Sequence, residues 1–292
     1  METRQINLKK YRDFGQLITD TFLFIKQEHK LLTRVLLTYV GPFVLISAFA
    51  GAWMQSGVFK SMDPEQMTDP FGFFQDLGIK YVVYILSLMI STTLLICAIY
   101  SYMYLYAQKG KDGFEQEDVW EMMKEKFLSV LGSFLLMMMI FFLGFILCIL
   151  PGVYFMTVFI LVFASVFMED LGVGDAMQRS MFLVKEDFWF SLGIGFVMSL
   201  ISGLIGYIFL APSSILSFMV MFNTLKGETS QSFTMVYLIL YALGAFFASM
   251  VYGLPHISFS MYYFSQVESK ESPNLLNKIE DINKPDEETN LF

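Results

Sequence analysis

The chain has 292 residues and a net charge of −8, and it is 55% hydrophobic with only 16% charged residues. A soluble domain averages about 25% charged residues, and this chain also contains long runs without Asp, Glu, Lys or Arg, at 35–59, 81–108, 127–168, 188–225 and 229–267. About 20 apolar residues in an α-helix match the ~30 Å hydrocarbon core of a bilayer. Because the runs are apolar on every face, they exclude the alternating strands of a membrane barrel. The sequence therefore predicts an all-α fold, a polytopic membrane helix bundle.

The first predicted element is an amphipathic helix at 14–25, in which apolar residues recur at helical spacing among polar ones. The same pattern at 114–127 and 173–188 predicts two more interfacial helices. An interfacial helix followed by two spans thus occurs three times. The segments 19–28 and 178–187 also align at a constant offset, which either an internal repeat or convergence on one anchoring role explains.

The apolar runs predict six membrane spans. Their bounds are roughly 32–54, 79–107, 127–150, 152–168, 189–211 and 233–257. Residues 127–168 are too long for one crossing at about 1.5 Å per residue. Pro151 and Gly152 fall between spans three and four, where Pro interrupts a helix and Gly accepts turn dihedrals. A tight hairpin at Pro151-Gly152 is therefore predicted, with a single kinked helix as the alternative.

Two segments lie outside the spans. Residues 213–225 follow Pro212 and are too short to cross the bilayer, so they are predicted to form an interfacial or re-entrant helix. Residues 268–292 are acidic and contain few large apolar residues, which predicts a disordered cytoplasmic tail. The helical membrane domain is accordingly expected at 1–267.

The positive charges predict the orientation of the chain. With the N-terminus inside, sixteen of the nineteen Lys and Arg residues fall on the inner side and three fall on the outer side. Because Lys and Arg accumulate in cytoplasmic loops, we expect both termini to be cytoplasmic.

Few residues are candidates for chemistry. Glu169 closes span four, and Arg179 and Lys185 follow in the interfacial helix, so these charges either pair across the interface or are solvated separately. His256, next to Pro255, is the one titratable side chain well inside a span. It is a candidate polar site, and a His bonded to a local partner is the alternative. The two Cys and two His residues lack metal-ligand spacing, so no metal and no cofactor is expected.

The segment 149–189 resembles a poorly characterised bacterial membrane family, which includes YciC-like inner-membrane proteins and the membrane portion of some glycerophosphodiester phosphodiesterases. The residues that carry the resemblance are Pro151, Gly152, Tyr154, Glu169, Ala176, Arg179, Ser180, Leu183, Val184, Lys185, Phe188 and Trp189. It is best over about 40 residues and extends over 14–265. The resemblance implies six or so helices, a bacterial inner membrane and no established activity. The phosphodiesterase chemistry of some relatives lies in a separate soluble domain, to which nothing in this chain corresponds.

The sequence favours a non-enzymatic integral membrane protein, either a scaffold or an assembly helper. A transporter or lipid-handling protein is the alternative. Membrane lipids and an unidentified membrane protein are the expected partners, and nucleic acid is not expected. A large polar cavity between spans five and six favours transport, whereas a tightly packed bundle with an exposed apolar groove favours the scaffold.

Overall fold

The computed structural model describes residues 6–61, 70–147, 149–226 and 231–271, and these residues form helices joined by short non-helical segments, without a strand among them. Its helices are α1 (Phe14–Val35), α2 (Gly41–Ser61), α3 (Pro70–Lys109), α4 (Gln116–Leu147), α5 (Ile149–Met168), α6 (Val173–Val184), α7 (Phe188–Leu225), α8 (Gln231–Val251) and α9 (Leu254–Glu271). Six helical stretches of these residues are long and apolar enough to cross a membrane. The predictions of an all-α fold class and a multi-pass membrane protein are confirmed.

The first predicted interfacial helix and the first span are one continuous helix. Asp13 caps α1 by accepting a hydrogen bond from the backbone N–H of Gln16 at 2.8 Å. A π-helical turn at Leu36–Val40 then joins α1 to α2 without a break. Pro42 follows this turn and has no N–H to donate, and a widened turn is one way in which a helix accommodates such a residue. The prediction of a separate helix at 14–25 was therefore wrong.

The second predicted interfacial helix also belongs to the span that follows it. Residues 116–147 form the single helix α4, so the segment 114–127 and span three are not separate. Asp118 fixes the start of α4 by accepting a hydrogen bond from the Glu115 N–H at 2.9 Å. Only the third unit keeps a separate short helix, α6, so the three units differ in local structure.

Residues 213–225 continue α7, contrary to the prediction of a separate interfacial or re-entrant helix. Pro212 lies inside this helix. The hydroxyl groups of Ser213 and Ser214 both donate to the Leu210 carbonyl, at 2.8 and 3.0 Å. The carbonyl that loses its helical donor at a proline is the one four residues earlier, here Ile208, so the serine bonds do not replace the bond that Pro212 removes. The helix α7 nevertheless continues through Pro212 to Leu225.

The last predicted span is interrupted. Residues 252–253 form a turn between α8 and α9, and the Ser202 hydroxyl braces it by donating to the Val251 carbonyl at 2.9 Å. Pro255 lies in the first turn of α9, where its missing N–H costs no helical bond. The helix α9 continues to Glu271, past the predicted start of the tail at 268, and residues 272–292 lie outside the described residues.

The core forms around α5 and α9. The helix α5 packs against α3, α4, α6, α7 and α9, and its Leu161 and Phe167 are almost completely buried. From α3 and α9, Tyr100 and Tyr262 are equally buried. The ends of α3, α5 and α9 and the starts of α1, α4 and α7 meet at one side of the bundle, which we call the polar end.

Candidate functional site: a polar cluster and a lateral cavity

Four side chains form a hydrogen-bonded group at the polar end, which we call the polar cluster: Glu169, Arg179, Tyr263 and Glu271. Arg179 donates from Nε to Glu169 at 2.8 Å and from a terminal nitrogen to Glu271 at 3.0 Å. Tyr263 donates its hydroxyl proton to the same Glu169 oxygen. The guanidinium group of Arg179 thereby joins three helix segments: the end of α5, the middle of α6 and the second half of α9.

The polar cluster keeps Arg179 charged. Its hydrogen bonds to Glu271 and Glu169 raise the pKa of the guanidinium above its ordinary value, against the opposing effect of burial. Of the two arrangements that the sequence left open, the structure has the paired one for Glu169 and Arg179.

The remaining charges of this region lie apart from the polar cluster. Lys185 is exposed and makes no ion pair with any described residue, so of the two alternatives it has the separately solvated one. Asp170 has a positive φ of 54° at the end of α5 and pairs with Lys126 of α4. Asp tolerates this left-handed conformation better than most residues.

Trp189 is 79% exposed in the first turn of α7, beside the half-buried Phe188. Phe182 of α6 is also exposed and lies under the cations of Arg179 and Lys270, at 5.7 and 5.6 Å from its ring centroid. Aromatic and basic side chains together are typical of a membrane–water boundary.

The apolar face of α6 is offset from the predicted one. The sequence placed Val173, Met177, Met181, Val184 and Phe188 in one stripe. The structure buries Ala176, Ser180, Leu183 and Val184. The buried face is shifted by one position because the small Ala176 and Ser180 lie against α5, where the Ser180 hydroxyl donates to the Val158 carbonyl.

The helices α4 and α5 pack against each other, as the predicted hairpin between spans three and four requires and a single kinked helix does not. Pro151 and Gly152 lie in the first turn of α5 and not between the two helices, so their predicted place at the turn was wrong. Cys148, which separates α4 from α5, is outside the described residues. The function of Gly152 is close packing. A Cβ atom on Gly144 of α4 would lie 3.1 Å from the Gly152 Cα atom. Two glycines thus let the α4 and α5 backbones approach each other.

The helices α7 and α8 also pack through small residues. A Cβ atom on Gly244 would lie 2.5 Å from the Phe209 carbonyl oxygen, and one on Gly206 would lie 3.6 Å from Ala248 Cβ. This contact, which we call the α7–α8 seam, leaves no room for a substrate groove between spans five and six. The small-residue face of α7 therefore serves helix packing.

A cavity of about 450 Å³ lies beside the first half of α7, among α4, α5, α7 and α9. We call it the lateral cavity. Its walls are predominantly Phe, Met and aliphatic side chains, and Thr157, Ser199 and His256 are its polar residues. The exposed rim residues Met138, Phe141, Met156 and Phe196 line the same space. Because α4 and α7 scarcely touch each other, the cavity opens sideways, toward the hydrocarbon of a bilayer.

The imidazole ring of His256 lies in the wall of the lateral cavity, whose other lining residues are mostly apolar. The ring lies edge-on to Tyr100, Phe163 and Phe259, at centroid distances of 5.8, 6.3 and 5.9 Å. Its Nδ1 atom is fully buried and has no hydrogen-bond partner. The alternative of a local partner for this histidine therefore finds no support among the residues that the structure describes.

Sequence reasoning missed several polar residues of the site. Arg12 is completely buried and donates to Asp20 at 2.8 Å and to the Leu8 carbonyl at 2.7 Å, and its own N–H donates to the Ser265 hydroxyl. Tyr263 and Glu271 were missed because each is more than 90 residues from its partner in the polar cluster. No local signal marks them, because Glu271 follows Glu268 and Lys270 at the charged end of α9.

Comparisons of this chain with protein families, curated proteins and solved structures return no match. The similarity of 149–189 to YciC-like proteins thus stays an expectation from sequence. The functional argument rests on the geometry of the lateral cavity and the polar cluster.

Proposed function

We propose that this protein is a non-enzymatic, lipid-handling protein of a bacterial cytoplasmic membrane, and that the lateral cavity holds a lipid chain. The observation that carries the proposal is the cavity of about 450 Å³, apolar in lining and open toward the bilayer. Ligand cavities in proteins range from about 300 to 1,000 Å³. The flexible Met137, Met138 and Met156 in its wall suit an occupant of variable shape.

The lining and the opening of the cavity favour a lipid chain. Its walls are predominantly apolar, and its exposed rim residues belong to helices that are long and apolar enough to cross a membrane. A scaffold or assembly role remains a prediction from the sequence, since an exposed apolar groove also agrees with it.

The non-enzymatic character is supported by the environment of His256. Nucleophilic catalysis requires a base hydrogen-bonded to a hydroxyl, thiol or carboxyl group. Among the described residues, no such group bonds either ring nitrogen of His256. The Thr157 hydroxyl in the same cavity donates to the Val153 carbonyl of its own helix at 2.9 Å.

The proposed orientation places the polar end in the cytoplasm. It is supported by the sixteen of nineteen Lys and Arg residues on that side of the chain. In a variant in which Cys97 and Cys148 are replaced by Ser, a cysteine at Lys226 should react with an impermeant thiol reagent in intact cells. One at Glu186 should react only after the cells are opened. Labelling of the Glu186 position alone in intact cells would reverse the orientation.

The lipid-binding proposal is tested by the retention of lipid during purification. Protein extracted with its native lipids and passed into detergent should carry a bound lipid that native mass spectrometry detects. Ser199→Phe fills the cavity from α7 and should lower the bound fraction about fivefold or more. Leu200→Phe changes the neighbouring exposed position, which does not line the cavity, and should leave retention unchanged. Equal retention by both variants, or none by the unchanged protein, contradicts the proposal.

A further inference from the structure

We propose that the lateral cavity selects a neutral lipid that bears a hydroxyl group, and that the His256 ring binds this hydroxyl. The inference rests on the proposed function and adds the chemical class of the occupant. It is drawn from the position of one histidine in an otherwise apolar space.

The imidazole lacks the partner that its surroundings demand. A neutral imidazole carries one N–H donor and one acceptor nitrogen. No hydrogen bond to either ring nitrogen is found among the described residues. Nδ1 is fully buried and has no partner, so the ring nitrogen that an occupant of the cavity can reach is Nε2. A polar group without a partner is costly where no water is available, and a polar atom at Nε2 removes this cost for one of the two nitrogens.

The position of His256 in the broken span supports a binding role. The turn at 252–253 interrupts the span, and His256 is the third residue of α9. Interrupted helices within a membrane are tolerated where they are buried in protein or line a cavity, and in transporters they form ligand sites. Here the first turn of α9, which follows the interruption, places the His256 ring in the cavity wall.

The depth of His256 excludes a charged headgroup. Tyr263 belongs to the polar cluster, and seven residues of α9 separate it from His256. At 1.5 Å per residue the ring lies about 10 Å from the polar end. A phosphate or carboxylate at that depth carries a large desolvation cost, and His256 has no cationic neighbour in the cavity lining to offset it. The polar atom of the occupant must therefore be neutral.

A hydroxyl group fits the ring in either tautomer. It accepts a hydrogen bond when Nε2 carries the proton, and it donates one when Nε2 does not. A carbonyl oxygen fits only the first case. The remaining cavity wall, from Leu192 to Phe141 and Met156, is apolar and takes the hydrocarbon chain.

Three probes with the same 16-carbon chain test the inference: hexadecane, hexadecanol and hexadecyl phosphate. Each is added to the full purified protein in detergent, and native mass spectrometry measures the bound fraction. The unchanged protein should retain hexadecanol about five- to tenfold better than hexadecane, as expected for one hydrogen bond to a group that is otherwise unpartnered. Hexadecyl phosphate should be retained no better than hexadecane.

Two variants assign the preference to His256. His256→Phe keeps an aromatic ring and should retain hexadecanol and hexadecane equally, at the level of hexadecane. His256→Gln restores a hydrogen-bonding group and should recover part of the preference. If His256→Phe does not fold, the comparison of probes on the unchanged protein still tests whether the cavity prefers a chain that bears a hydroxyl group. Equal retention of hexadecane and hexadecanol by that protein overturns the hydroxyl inference and leaves lipid binding intact, whereas retention of no probe refutes the proposed function as well.

Discussion

The two halves of α7 show how one membrane helix can leave a space beside its first half and close a contact along its second half. At the α7–α8 seam, Gly206 meets Ala248 and Gly244 meets the Phe209 carbonyl, so the backbones themselves are in contact. At the lateral cavity, Phe196 and Leu192 face Met and Phe side chains of α4 and α5. Large side chains keep helices apart, and in lipid no hydrophobic force draws them together again.

The polar groups beside the two halves of α7 differ in the same way. Ser202 at the seam donates to the Val251 carbonyl at 2.9 Å. The His256 ring in the cavity wall makes no hydrogen bond with the described residues, and its Nδ1 atom is fully buried. The polar group of the seam is therefore satisfied within the protein, whereas Nε2 of His256 is left for an occupant of the cavity.

The largest expected effect is at the seam. Gly244→Ala places a Cβ atom 2.5 Å from the Phe209 carbonyl oxygen, and backbone cannot move aside cheaply. We expect a loss of about 1–3 kcal/mol of unfolding free energy, the usual cost of overpacking. Thermal unfolding in detergent measures it.

The control for Gly244→Ala is Gly203→Ala on α7, where a new Cβ atom meets nothing within 4 Å. Alanine forms helix more readily than glycine, by up to about 1 kcal/mol, so this variant should be neutral or more stable. A Gly244→Ala protein as stable as the Gly203→Ala protein would show that the seam is not tight.

The sequence predicted the number of crossings better than their limits. Runs of uncharged residues define six spans because hydrocarbon thickness fixes their length. The limits depend on whether a helix continues through a proline, which removes one backbone hydrogen bond. A proline in the sequence does not show whether the helix ends or continues there, so α7 was divided at Pro212 although it continues to Leu225.

The candidate site was predictable only in part. Glu169 and Arg179 are ten residues apart in adjoining elements, and their pairing was one of two alternatives that the spacing allowed. The contact of Arg179 with Glu271 spans 92 residues, and only the packing of α6 on α9 produces it. The lateral cavity is a space between side chains of four helices, which no local pattern encodes.

The next largest effect is expected in the polar cluster, which fixes α9 below the cavity. Arg179→Gln removes the donor to two carboxylates and should cost roughly 1–2 kcal/mol, because the cluster is only partly shielded from solvent. Glu169→Gln should cost less, since Arg179 keeps Glu271. Lys185→Gln, at an exposed position, is the control and should change nothing.

The double variant of Glu169 and Arg179 sharpens this test. The two residues share one interaction, so their combined loss should be smaller than the sum of the single losses. Thermal unfolding of the four proteins gives the coupling. Additive losses would mean that the two charges are solvated independently and that the contacts of Tyr263 and Glu271 hold the cluster.

The smallest expected effect concerns two polar side chains, Ser202 at the α7–α8 seam and His256 in the wall of the lateral cavity. Ser202→Ala removes a hydrogen bond and leaves the Val251 carbonyl without its side-chain donor, so it should cost about 1 kcal/mol.

His256→Phe keeps the edge-on contacts with Tyr100 and Phe163 and removes an unpartnered nitrogen. Replacement of an unsatisfied polar group by an apolar one of similar shape is close to neutral or stabilising. We therefore expect an unfolding temperature for the delipidated His256→Phe protein that is equal to or higher than that of the unchanged chain. A much lower unfolding temperature would show that the ring nitrogens already have a hydrogen-bond partner within the protein, because removing a polar side chain lowers stability mainly when that side chain is hydrogen-bonded. With a hydroxyl-bearing lipid bound, the order should reverse, since the unchanged protein then gains the stabilisation that the phenylalanine variant cannot.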